Sequence, residues 1–346
     1  MTKYLLVRGI GGLGNRILSL LTAIPMARLD GRELVVEWCD ANYSDDGTNV
    51  VHQYFRSPVF GPSGKVPPSQ SVYPALWRKH LEDPEKRWTR PHFPELRGHP
   101  HQWRYLSADA GRVHYDEQVV VFYSLYPLFY RLRPQLRGEY EHLRRADQKT
   151  AFRELYRASL ELVPAIQRRV DQVKATWPRR PIIGVHARYT DRKVNLSSVH
   201  RHVRALLKRE PDAAIFLATD NRNILDQFSA TYPNVLAPDR AYAPDGTPLH
   251  QSPDLPGAAQ RGVEALVDIY LLAASDYLVV DEGSTFYYLA SMLSNLDPSR
   301  IHNIQSGGWL PDRLRQQIWC IWSDVKFLPR TIRHLRRRRR EPSTFI

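Results

Sequence analysis

The chain has 346 residues, 42% of them apolar, a length near twice the modal domain and an apolar share ample for buried cores, so two domains are expected. Of the net charge of +13, six units sit at Arg333 and Arg336 to Arg340, leaving an excess of seven on the body. No basic stripe interleaved with aromatics runs through that body, which argues against a nucleic-acid partner and suits an anionic small substrate.

In chain order, Tyr4 to Val7 is expected to be a strand, followed by a glycine loop from Gly9 to Arg16 and an apolar helix to about Arg28. Leu34 to Trp38 closes a first βαβ unit in the manner of a Rossmann half. From about Tyr43 to His101 prolines, aromatics and turn residues replace any sustained period, and the segment is expected to be an irregular excursion. Gln118 to Tyr123 is the next strand, and Thr150 to Thr176 is expected to form one long amphipathic helical region ending before Pro178. Beyond it strands at 182–186, 214–218 and 277–280 alternate with helices at 199–208, 222–228, 263–274 and 285–293. That alternation predicts a parallel sheet.

The two cysteines, Cys39 and Cys320, are too few for a disulfide framework or a zinc site, and a single bridge between them stays open. A reduced, cytoplasmic setting is expected. The apolar run from Leu18 to Met26 is preceded by glycines and a strand instead of a basic leader, so no signal peptide is expected. Nowhere do eighteen apolar residues follow one another, so neither is a membrane-spanning helix.

The segment PIIGVHARYTD, 181–191, carries the clearest chemistry. A β-branched run delivers His186 and Arg188 to the carboxyl end of its strand, where open α/β sheets bind ligands. The planar fork of an arginine matches a pair of phosphate oxygens. Taken alone, His186 as a core histidine and Arg188 as a partner of Asp191 explain the segment equally well. Two more strand ends in the same half carry polar clusters, Thr219-Asp220-Asn221 and Asp281-Glu282-Gly283-Ser284-Thr285, and three rims are thereby expected to converge on one crevice. Ser284 and Thr285 stand where strand meets helix, suited to helix capping or to phosphate oxygens. Asp268 interrupts the apolar run from Ala265 to Ala274 and needs a partner, either a bound nucleoside or a salt bridge within the protein.

The glycine loop, with Gly9, Gly11, Gly12 and Gly14, lets backbone N–H groups approach an anion at a helix N-terminus. Its spacing also satisfies the dinucleotide expression, with Glu37 and Asp40 as late candidates for the ribose carboxylate, which keeps a nicotinamide dehydrogenase among the readings. Trp77, Trp88, Phe93, Trp103 and Tyr105 offer flat faces in the irregular segment, fit for sugar rings or for local packing.

Together the segments GVHARYTD, LATDN, GVEALVDIYLLAASDYLVVDEGSTFYYLA and the opening GIGGLGN resemble the α-1,6-fucosyltransferases, in particular the rhizobial nodulation branch, and more distantly the animal core and protein O-fucosyltransferases. The likeness covers residues 181–293 and the first fifteen. It implies an α/β fold of GT-B type, two Rossmann-like domains facing a central cleft: 1–160 with the irregular insertion on the acceptor side, 161–326 binding the donor, and 327–346 as a basic tail.

The same resemblance implies inverting, metal-independent transfer of L-fucose from GDP-β-L-fucose to an oligosaccharide or glycolipid-type acceptor, with no cofactor beyond the donor. Arg188 would hold the β-phosphate as the catalytic group, and His186 and Asp268 would contact the guanine. Asp220 and Asp191 would line the nucleotide pocket, Ser284 and Thr285 would bind the diphosphate, and Gly12, Gly14 and Asn15 would face it from the other domain. Enzymes of the animal branch follow the position of Asp191 with a Lys and, five residues beyond it, a Glu proposed as base. Here those positions hold Arg192 and Leu196, so the base is unassigned.

Two rival readings stand beside this one. A different nucleoside-diphosphate sugar would suit the same fold. A basic binding protein would instead use Arg336 to Arg340 against nucleic acid or, as a weak peripheral contact, an anionic membrane.

Overall fold

The structure, a computed structural model, describes residues 1–304 apart from 62–63, 83–105, 126, 190–192, 239, 241, 243–256 and 282, together with the isolated positions 318, 329, 332 and 336. The chain opens with β1 (Tyr4–Arg8), α1 (Leu13–Leu29) and β2 (Glu33–Glu37). β1 takes a parallel partner on each side, β2 and β5 (Val119–Phe122), and β5 pairs in turn with the short β4 (Val72–Tyr73). The first sheet therefore runs β2-β1-β5-β4. Alternation along β1 sends Leu5 and Val7 into one apolar cluster and Leu6 into another, as a period of two requires.

Helix α1 is apolar on nearly every side, the pattern of a helix with no solvent face. It lies between the first sheet and two helices of later sequence, α2 (Gln148–Ser159) and α7 (Thr285–Leu293). One apolar cluster consequently runs without a break from Leu5, Ile17 and Leu21 to Leu272, Leu289 and Met292.

The expected single helix over 150–176 is two helices, α2 and α3 (Pro164–Ala175). Pro164 occupies the first position of α3 and forces Val163 into an extended conformation, φ −60° and ψ 145°. The released residues Glu161–Leu162 form β6, which pairs antiparallel with β3 (Phe55–Arg56). Among the described residues the irregular excursion thus contributes β3, β4 and two short turns of helix, at Val51–Tyr54 and Ala75–Trp77.

The second half alternates as expected: β7 (Ile182–Ala187), α4 (Leu196–Arg209), β8 (Ala214–Thr219), α5 (Arg222–Thr231), β9 (Val235–Leu236), α6 (Ala258–Ala273), β10 (Tyr277–Val280), α7 and β11 (Ile301–Asn303). Every pairing in this sheet is parallel and the order is β11-β10-β7-β8-β9. Counted from β7 as the first strand, that is the doubly wound nucleotide-binding order, and the reversal falls between β7 and β10. β7, β8 and β10 are buried along their whole length, which is why they read as continuous apolar runs. The short edge strands β9 and β11 carried too few residues for any period to announce them.

Candidate nucleotide site

The crevice at the strand-order reversal is built from residues that follow β7 and β10. His186, near the end of β7, lies flat against Phe286 of α7, ring centroids 4.7 Å apart and 15° from parallel. The two strands that flank the reversal are thereby joined by a stacked pair. The Ala187 carbonyl accepts from Thr219 Oγ1 at 2.7 Å, and the Tyr189 N–H donates to Asp220 Oδ1 at 2.9 Å, so the end of β8 holds the backbone on both sides of Arg188. Asp220 is therefore a brace for the loop that carries Arg188. The Arg188 carbonyl accepts from Val194 N at 3.1 Å, which turns the chain back towards α4. Asp191 lies outside the described residues.

After β10, Asp281 folds a tight turn, its Oδ1 accepting from Gly283 N at 2.9 Å and its carbonyl from Ser284 N at 3.0 Å. Ser284 stands at the N-cap of α7 yet makes no capping bond, and among the described residues its buried Oγ has no hydrogen-bond partner. The capping explanation for this serine thus fails. Its hydroxyl and the first N–H groups of α7 form a polar edge at the positive end of the helix dipole.

The glycine loop meets that edge from the other sheet. A Cβ on Gly14 would stand 2.7 Å from the backbone carbon and Oγ1 of Thr285, so only glycine lets the first turn of α1 touch the first turn of α7. Gly12 caps α1 without a side chain and has no atom within 4 Å of where a Cβ would stand, and Asn15 follows in the helix's first turn. Two helix N-termini, one from each half, converge on one place. Gly11 adopts φ +72°, where glycine is at home, and its carbonyl accepts from Arg16 Nε at 3.0 Å.

Arg16 is the residue that the sequence reading overlooked in this loop. It is 1% exposed, pairs with Asp40 at 2.6 Å and lies 4.4 Å from the centre of the Tyr43 ring. Its signal was available, since an arginine one turn into an otherwise apolar helix must have a buried partner. Burial pushes the Tyr43 hydroxyl up, and the Arg16 and Arg188 cations oppose that shift.

Asp40 is thus committed to Arg16, and Glu37 pairs with Arg8 at 3.0 Å. Burial raises the Glu37 pKa despite that arginine. Neither acid is left to grip a ribose, and the dehydrogenase reading loses its carboxylate. Cys39 between them is a free, half-buried thiol pushed up to about 11 by burial and by Glu37; Cys320 lies outside the described residues.

Asp268 on α6 is 4% exposed, and its Oδ2 accepts from Arg240 Nη1 at 2.7 Å. Burial raises its pKa while the arginine beside it pulls the other way. The salt bridge that the sequence left open as one of two solutions is present. It uses only one oxygen: Oδ1, and on the other side Arg240 Nε and Nη2, are buried without partners among the described residues.

Of the aromatics considered for sugar stacking, Trp77 is fully buried, donates from Nε1 to the Leu106 carbonyl at 2.7 Å and packs on Tyr123. It is a packing anchor. Trp88, Phe93, Trp103 and Tyr105 lie outside the described residues, as do Arg192 and nearly all of the arginine tail. Leu196 opens α4, half-buried against the outer core, so no carboxylate stands at that position. Among the described residues no group of three or more His, Cys, Asp or Glu is placed to hold a metal ion, and no helix is long and apolar enough to cross a membrane.

The family model "Nodulation protein Z (NodZ)" matches residues 142–297, the stretch that holds the whole second rim. Nodulation protein Z of Bradyrhizobium diazoefficiens is 26% identical over 311 residues, 80% of this chain and 75% of that protein. Over these residues the chain is similar to nodulation protein Z. The crystal structure of the NodZ α-1,6-fucosyltransferase soaked with GDP-fucose superposes with a TM-score of 0.56 at 21% identity, covering 87% of this chain and 97% of the other. A variant of Arabidopsis thaliana FUT1 in complex with GDP gives 0.52 at 15% identity, covering 86% and 70%. The architecture common to the chain and these structures is GT-B, with two parallel α/β sheets, as expected from the family resemblance.

Proposed function

We propose that the protein is an inverting fucosyltransferase that moves L-fucose from GDP-β-L-fucose to an oligosaccharide or glycolipid acceptor, without a metal. The observation that carries this reading is the meeting of Gly14 and Thr285, which brings two helix N-termini from different sheets to one point. A diphosphate is the ligand that such paired positive ends suit. The NodZ relative supplies the sugar.

Cleavage of the bond between fucose and diphosphate leaves negative charge on GDP and positive charge on the ring. In this reading Arg188, its loop braced by the bond from Tyr189 N to Asp220, neutralises the departing phosphate together with Ser284, Thr285 and the N–H groups of Gly12, Gly14 and Asn15. His186, held against Phe286, and Asp268 lie on the nucleoside side of this reading. Residues 161–326 form the donor domain in this scheme and 1–160 the acceptor side. The enzyme works in the cytoplasm, with Arg336 to Arg340 as a weak contact to anionic lipid.

The test is incubation of the purified protein with GDP-fucose and a panel of chitooligosaccharides, with and without chelator, while GDP, UDP and ADP are titrated calorimetrically. Fucose transfer that persists in chelator, with GDP bound in preference to the other two, is the expected result. No uptake of GDP at millimolar concentration overturns the reading.

A further inference from the structure

Arg240 lies between the motifs that carry the family resemblance, and its side chain is 4% exposed. It follows β9, so it leaves the sheet at the same carboxyl-end rim as Arg188, Asp220 and Asp281. Tyr242, two residues on, holds it there. The Tyr242 ring lies 5.7 Å from the Arg240 guanidinium and 5.9 Å from that of Arg222, the first residue of α5 beyond the Asp220 cluster.

The side chain then reaches inward to Asp268 on α6. A buried ion pair in a protein whose aim is stability is normally bidentate and saturated, because each unmet donor or acceptor forfeits hydration without return. This pair uses one bond, at 2.7 Å. Three polar atoms remain buried without partners among the described residues, Asp268 Oδ1 and Arg240 Nε and Nη2. One ion pair therefore holds both an unmatched acceptor and unmatched donors.

The edge that fits is that of guanine. Its O6 accepts while the adjacent N1–H and the exocyclic amine donate, so O6 meets the free arginine N–H groups and N1–H meets Asp268 Oδ1. Adenine reverses the order and sets donor against donor and acceptor against acceptor. We infer that Arg240, paired to Asp268, is a specificity-determining residue that reads the base of the bound nucleotide and selects guanine over adenine. This rests on the reading of the rim as a nucleoside-diphosphate site.

Calorimetric titration of GDP, ADP and inorganic pyrophosphate into the full chain tests it, with wild type, Arg240→Ala and Arg240→Lys. The lysine variant keeps the charge beside Asp268 and protects against a folding defect, but lacks the fork. The expected result is that the preference for GDP over ADP falls about tenfold or more in both variants, while pyrophosphate affinity is unchanged. A preserved GDP-to-ADP ratio in Arg240→Lys overturns the inference, as does tighter GDP binding in Arg240→Ala, which would make Arg240 a competitor of the base. Wild-type protein that takes up no GDP at all would fail the underlying reading instead, so the two failures are distinguishable.

Discussion

In the proposed site the two parallel sheets contribute different groups. The second sheet presents side chains: His186, Arg188, Asp220, Ser284 and, through the loop after β9, Arg240 all stand at its carboxyl-end rim. The first presents main chain, a glycine loop pinned from behind by the buried Arg16–Asp40 pair. Charge chemistry thus belongs to one half and shape to the other. Damage to the second sheet's rim should cost turnover at constant stability, whereas damage behind the glycine loop should cost stability and binding together.

Asp40→Ala tests the first sheet most severely, since it strands the buried Arg16 cation. A loss of about 3 to 5 kcal/mol is expected in urea unfolding, accompanied by weaker GDP binding. An unchanged midpoint would mean that the loop needs no clasp. Arg188→Ala addresses the second sheet: kcat/KM should fall by about two to three orders of magnitude, roughly 2.7 to 4 kcal/mol, with the unfolding midpoint unmoved. Unchanged turnover would reject its role at the leaving group.

Gly14→Ala probes the seam where both halves meet. Its methyl must displace the Thr285 backbone, for which about 1 to 3 kcal/mol of stability is expected, read as a fall in unfolding midpoint together with weaker GDP binding. The smallest effect belongs to Asp147, remote from the cleft, whose carboxylate caps α2 by accepting from Thr150 N and Oγ1. Burial opposes its ionisation, but the Thr150 donors win and hold the pKa below 3.8. A lowered folded-state pKa means that this contribution is complete above 3.8 and is lost as pH falls through the lower value. Asp147→Ala should cost about 1 kcal/mol near neutrality, and the gap to wild type should close in acid, as unfolding at a series of pH values would measure. GDP binding should not change, which makes it the control for the three variants above.

The contrast between the sheets also explains how much could be read in advance. In the second half every strand pairing but that of β7 with β10 joins consecutive βα units, and burial on both faces writes itself as an apolar run, so β7, β8 and β10 were legible almost to the residue. In the first half β1 pairs with β5 more than a hundred residues later, across the irregular excursion. The pieces that excursion contributes, β3 and β4, are two residues each and carry no period. The run from 150 to 176 misled for a related reason. Helical periodicity continues on both sides of Pro164, which breaks the helix, and the residues it releases find a strand partner in Phe55–Arg56, invisible to any local window.

By itself, the order of residues determined the alternation of strand and helix, the family likeness and the types of side chain delivered to each strand end, because these depend on neighbours a few positions away. Only the tertiary structure decided what those side chains meet: that Asp268 holds Arg240, that Asp40 and Glu37 are consumed by Arg16 and Arg8, that Trp77 is core, and that Gly14 touches Thr285. Each of these is a contact across 24 or more positions of chain, and its partner is chosen by how two sheets and their helices pack, which no local pattern encodes.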